Sequence, residues 1–311
     1  MPASWILFPL LLVPFFASTV LTVGIEGICR RFHIFDLPGE RKMQIQPVPR
    51  LGGAAFFITS IGFAIGLSLT TSWTHLLGAT IVFIGGFIDD VHPQNSVLGK
   101  IFFQIPGAAL FAWGCQVDFL TNSNWQTALL KIVIFGFVFF MTNAANLMDN
   151  MNGLAAGLSI VITTLIATIA FLRTHDQSFT LMGVLVVSSV LGFLVRNFPS
   201  GKIYMGDQGS QFLGYFNSSY AVLLFIKYSR INSSLKVWSF VLPGIVLFGL
   251  FLFDVIQVVA IRISERRSPF VGDQCHISHQ LVKRGLSPVA ATSYLIASQI
   301  LLSFICLSLF P

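Results

Sequence analysis

Apolar runs of about 20 residues, the length a helix needs to cross the hydrocarbon of a bilayer, recur from one end of the chain to the other with short polar stretches between them. The pattern predicts ten spans, roughly at 4–28, 51–70, 72–88, 100–116, 127–148, 153–172, 179–195, 209–228, 237–261 and 288–310. The first run, Trp5 to Val23, lacks a basic region before it and a convincing cleavage site after it, so it is expected to be a retained helix and not a signal peptide. No fixed-period repeat, low-complexity tract or linker divides the 311 residues, and the expectation is one integral membrane domain over 1–311.

Composition agrees with this reading. Hydrophobic residues make up 55% of the chain and charged ones only 10%, with a mean hydropathy of +0.81, which excludes an ordinary soluble domain. Cys29, Cys115, Cys275 and Cys306 stand singly, with neither zinc-ligand spacing nor a disulfide framework. Charge changes the picture by where it falls. Arg30, Arg31, Arg41, Lys42, Arg50, Lys100, Arg196, Lys202, Arg262, Arg266, Arg267, Lys283 and Arg284, thirteen of the 18 basic residues, follow odd-numbered spans. Cytoplasmic loops are rich in Lys and Arg, so these loops are expected inside and both termini outside. Eight of the 12 carboxylates, Asp36, Glu40, Asp89, Asp90, Asp149, Asp207, Glu265 and Asp273, fall in or beside the same loops. No insertion rule puts them there, so a functional reason is expected.

Five polar segments on that face are not explained by apolar packing. From Asp36 to Gly53 prolines punctuate a basic loop in which Arg41, Lys42 and Arg50 could hold phosphate, and Gly52-Gly53 permits close approach at the start of a span. Asp89 and Asp90 close an apolar helix as adjacent like charges, a pattern that suits a general base or a cation site. Asn143, Asn146, Asp149 and Asn152 recur every three residues and so share a helix face, suited to a polar ligand or a hard cation bound through oxygen. Gly206-Asp207-Gln208-Gly209-Ser210 places an acid between glycines at a helix start, where backbone amides can approach phosphate and the carboxylate can hold Mg2+. The last long loop carries Arg266, Arg267, His276 and His279 as donors to pyrophosphate or sugar hydroxyls. HxxH alone, with no third soft ligand, is a weak metal pair.

In this order the five segments resemble the polyprenyl-phosphate N-acetylhexosamine-1-phosphate transferases, which start lipid-linked glycan synthesis in bacterial membranes. The resemblance spans nearly the whole chain. It implies an all-α bundle of about ten transmembrane helices in the cell inner membrane with a catalytic groove facing the cytoplasm. It also implies Mg2+, with Mn2+ able to substitute, a UDP-N-acetylhexosamine donor, undecaprenyl phosphate as acceptor and UMP as leaving group. Membrane lipid and a homodimer are the other expected partners, and nucleic acid is not one. The chain departs from the family pattern at Gln44, where His is common, at Asn150 for Gly, at Asn152 for Asp and at Ser278 for His.

The expected catalytic residues are Asp89, Asp90 and Asp207, with Asp207 and Asp149 holding metal. Lys42, Lys100, Asn146, Asp149, Asn152, Arg266, Arg267, His276 and His279 are the expected substrate contacts. A donor of the N-acetylglucosamine type fits better than a phospho-muramoyl-pentapeptide, because the aromatic-bearing three-histidine run of that branch is absent. The rival from another class is an ion-coupled secondary transporter using intramembrane Asp254.

Overall fold

The computed structural model describes residues 4–39, 44–69, 72–92, 97–232, 237–266, 268 and 274–310. It is all-helical apart from a two-stranded antiparallel ribbon, β1 (Phe35–Asp36) against β2 (Val48–Pro49). The helices are α1 (Ser4–Arg31), α2 (Gly53–Gly66), α3 (Trp73–Val91), α4 (Val97–Gly114), α5 (Asn124–Met148), α6 (Leu154–Ile169), α7 (Gln177–Asn197), α8 (Gly206–Ile231), α9 (Val241–Leu247), α10 (Gly249–Ser264), α11 (Ile277–Lys283) and α12 (Pro288–Leu309).

Each predicted span contains a helix, and the bundle is that of a multi-pass membrane protein. By length and composition six helices among the described residues are able to cross a membrane, or seven if α9 and α10, bent by 73°, form one broken span. At 14 residues α2 is short for a crossing, and α8 carries buried Gln208, Ser210, Gln211, Asn217, Ser218 and Ser219 along an apolar-flanked helix.

That polarity is affordable because α8 is the central helix, packed against α2, α3, α5 and α6. Phe212, Phe216 and Tyr220 fill one side of it, with Phe216 and Tyr220 stacked at 5.0 Å. α3 reaches α8 through Gly86, where a Cβ would run into the Gln208 backbone at 2.5 Å. Helices that approach this closely carry small residues at the contact. The loop before α2 is stitched to the loop before α8, since Gly52 and Gly53 donate to the carbonyls of Tyr204 and Met205 at 2.8 Å and Tyr204 donates to Pro49 at 2.7 Å. The first and fourth polar segments of the sequence thus become one surface.

Candidate active site

The C-terminal ends of α3 and α5 and the N-terminal ends of α4 and α8 meet at one end of the bundle, which brings Asp89, Asp90, Lys100, Asn146 and Asp207 together. Lys100 ion-pairs with Asp207 and lies 3.4 Å from Asp89. Asn146 donates to Asp207 Oδ1 at 3.1 Å and to Ser210 Oγ at 2.9 Å. Ser210 is a member the sequence reading left without a task.

The two adjacent aspartates have different surroundings, because consecutive helical residues point about 100° apart. Asp89 is partly open. Asp90 is 2% exposed and accepts from Arg50 Nη2 at 2.5 Å and from the backbone amides of Asp207 and Gln208, both at 3.1 Å. Gly206, at φ 73°, would carry any Cβ into the Asp90 carboxylate and the Arg50 carbonyl. The start of α8 therefore holds an anion, as helix N-termini do, but the anion is Asp90. The amides of Asp207 and Gln208 were expected to approach phosphate and are instead given to Asp90. Burial acts to lower the Arg50 pKa, and the charges of Asp90 and Asp207 outweigh it and hold it above its usual value.

Beside this cluster opens a cavity of about 1020 Å³ lined by Asp149, Asn152, Asp207, His276 and His279, with Arg30, Arg50, Lys202 and Tyr204 also on its wall. A volume at the upper end of the usual ligand-site range has room for a nucleotide-sugar. Asp149, just past the end of α5, has no cation paired with it among the described residues. Burial first, and then the charges of Asp207, Asp90 and Asp36, raise its pKa well above the usual carboxylate range. Burial also pushes the Tyr204 phenol up to about 12, with help from Asp36 and Asp149, so this hydroxyl is a donor and not a base.

No group of three His, Cys, Asp or Glu side chains stands close enough to hold a metal alone among the described residues. Two carboxylates bordering one cavity, one of them short of positive charge, still fit Mg2+, which is commonly bound by one or two carboxylates together with substrate phosphates.

Neighbouring loops are held by groups that sequence reading assigned elsewhere or missed. Asn152 donates to the Pro199 carbonyl at 3.1 Å, a bond an Asp could not make. Buried Asn197, unmarked in the sequence except as a polar residue closing an apolar helix, accepts from Gly153 N at 2.7 Å and donates to the Ile203 carbonyl at 2.8 Å. Two departures from the family pattern are partners, with Ser278 Oγ donating to Asn150 Oδ1 at 2.5 Å, and a third, Gln44, donates to Asp36 at 2.5 Å. Glu26 ties Arg30 to Arg196 across α1 and α7 at 3.0 and 2.6 Å.

Arg266 is exposed just beyond α10 and does not line the cavity. Lys42 and Arg267 lie outside the described residues. Asp254, the carboxylate of the transporter reading, is 1% exposed and engaged on both oxygens, by His276 Nδ1 at 2.7 Å and Ile277 N at 2.8 Å, which ties it to the start of α11.

An all-helical membrane bundle that gathers carboxylates, a lysine and an arginine at one end of the helices, beside a cavity of nucleotide size, defines a membrane enzyme working on phosphorylated substrates. Residues 72–226 match the family described as Glycosyl transferase family 4. The chain is 33% identical over 293 residues to a probable undecaprenyl-phosphate N-acetylglucosaminyl 1-phosphate transferase of Bacillus subtilis, covering 89% of this chain and 78% of that one. It is 27% identical to a decaprenyl-phosphate N-acetylglucosaminephosphotransferase of Mycobacterium leprae, over 86% of this chain and 75% of the relative. A phospho-N-acetylmuramoyl-pentapeptide-transferase of Latilactobacillus sakei is 32% identical over 58% of this chain and 63% of its own length. The chain belongs to Glycosyl transferase family 4, among its polyprenyl-phosphate N-acetylhexosamine-1-phosphate transferases.

Proposed function

We propose that the protein transfers N-acetylglucosamine 1-phosphate from UDP-N-acetylglucosamine to undecaprenyl phosphate, releasing UMP, as a single catalytic domain in the cell inner membrane with its cavity facing the cytoplasm. The observation that carries this is the excess of carboxylates over cations around Asp207 among the described residues, at the edge of a cavity whose wall also presents Arg30, Arg50 and Lys202. The acceptor phosphate must attack a pyrophosphate, and both are anions. Asp207 and Asp149 are the residues that would hold Mg2+, which when bound neutralises charge on the pyrophosphate oxygens and on the UMP leaving group.

The protein's own groups do the remaining work. Lys100 keeps Asp207 and Asp89 within one cluster and offsets part of their repulsion. Asp89, partly open, takes the proton of an incoming lipid phosphate monoanion and so keeps the nucleophilic oxygen ionised. Asp90 contributes by position, pinning the start of α8 and the Arg50 side chain where Asp207 needs them. Arginines and Lys202 on the cavity wall are suited to phosphate oxygens.

The test is turnover of purified protein with undecaprenyl phosphate, Mg2+ and a panel of UDP-sugars that includes the muramoyl-pentapeptide donor. Lipid product from UDP-N-acetylglucosamine in preference to the others is expected. Preference for the muramoyl-pentapeptide would move the chain to the other branch of its relatives.

A further inference from the structure

Asp254 lies ten residues before the end of α10, in an apolar stretch, and is 1% exposed. A carboxylate placed there is costly unless both oxygens are satisfied, and they are, by groups of one short segment. Oδ2 meets His276 Nδ1 at 2.7 Å, and Oδ1 accepts from Ile277 N at 2.8 Å. On the other side, Gln257 and Gln280 donate to the Cys275 carbonyl at 3.2 and 2.9 Å. The backbone that carries His276 is thus fixed from two directions.

An ionised carboxylate only accepts hydrogen bonds, so the ring nitrogen facing it must carry the proton. The other nitrogen is set by that choice. His276 is 5% exposed and borders the cavity, and its Nε2 has no hydrogen-bond partner among the described residues. We propose that Asp254 is a positioning residue for the transfer reaction, fixing the tautomer and aim of His276 so that the unprotonated Nε2 accepts a hydrogen bond from a hydroxyl of the nucleotide-sugar donor. This rests on the function proposed above. It gives a buried carboxylate outside the Asp207 cluster a place in the same site.

A merely structural role, holding α11 against α10, is separated from this one by a double-mutant cycle. In His276→Asn the amide nitrogen can replace the Nδ1 donor to Asp254 while the cavity-facing nitrogen is lost. In Asp254→Asn one of the two accepting oxygens is lost. Asp254→Asn is expected to lower turnover by about 10- to 100-fold, the scale of a hydrogen bond to a charged group, with KM raised for the UDP-sugar and not for the lipid. His276→Asn should unfold at the wild-type temperature yet lose activity to the same degree. Combining the two should cost no more than about twofold beyond His276→Asn alone, since residues acting through one group are not additive. Equal cost of Asp254→Asn in both backgrounds, or full activity of Asp254→Asn, overturns the proposal. If the wild type transfers no sugar phosphate, the functional reading itself fails. The positioning is then decided by the ¹⁵N spectrum of His276: a protonated Nδ1 in wild type that is lost in Asp254→Asn supports it, and a protonated Nε2 in wild type overturns it.

Discussion

The two ends of the bundle use the same residue types differently. At the end away from the cavity, Asp176 caps α7 by accepting from Phe179 N at 2.8 Å and is ion-paired with Lys227, whose ammonium also lies 5.6 Å from the Phe179 ring centre. Burial acts to raise the Asp176 pKa, and the bonds from Lys227 and the Phe179 amide outweigh it and hold the carboxyl below its usual value. At the cavity end Asp149 goes the other way, raised by burial and by three neighbouring carboxylates, with no cation paired with it among the described residues. Both are partly buried acids at helix ends. What separates them is counter-charge: Asp176 is paired with Lys227, while Asp89 and Asp207 share Lys100. Unneutralised acid persisting in a cleft is a mark of a functional site.

The contrast can be broken most severely at Asp207. Asp207→Asn is expected to lower turnover by at least about 100-fold, the scale for loss of a positioned electrostatic group, and to raise the Mg2+ concentration needed for half-maximal rate. An unchanged Mg2+ requirement would take the cation away from this residue.

A sharper division runs between the adjacent aspartates. Asp89→Asn should lower turnover by about 100-fold, the usual scale for an acid-base group, with partial recovery as pH rises and free lipid phosphate becomes fully ionised. Asp90→Asn should instead destabilise the fold by about 3 kcal/mol, because it breaks a buried charge pair, and its lost activity should not recover with pH. Thermal unfolding and pH–rate profiles of the two variants decide this, and identical profiles would erase the distinction between base and positioning group.

The smallest effect belongs to the other end. Asp176→Asn keeps a capping side chain but loses the ion pair, at a cost of about 0.5–1 kcal/mol, with turnover unchanged. Because the folded-state pKa of Asp176 is lowered, its contribution is present at neutral pH and lost as pH falls through that lowered value. The wild type should show this acid limb in its unfolding temperature and the variant should lack it. A drop in turnover would mean that the two ends are coupled.

Much of the fold is legible in the sequence, since apolar runs report where helices are. They do not report direction. The run at 237–261 reads as one span, yet its helix is broken between α9 and α10 by 73°, because composition is apolar on both sides of the bend. Which polar segments need a reason beyond packing is equally visible, from glycines and acids that packing does not require. Partnerships are not. Arg50 and Asp90 are 40 residues apart and meet only when α2, α3 and α8 converge. Asp254 reads as a lone deep charge because its partner, His276, stands beyond α10 and the loop that follows it. Asn152, a weakened carboxylate by comparison with the family, is a donor to Pro199 in the fold, so Asn152→Asp would disturb a loop contact as well as add a charge.

The central claim is that a phosphorus–oxygen bond between the two phosphates of the donor is the one broken. It is tested by incubating the purified protein with undecaprenyl phosphate, Mg2+ and UDP-N-acetylglucosamine labelled in the phosphate next to the sugar. The account predicts label in the lipid fraction and release of unlabelled UMP in equal amount. Label recovered as free UDP, with the sugar alone on the lipid, would contradict it.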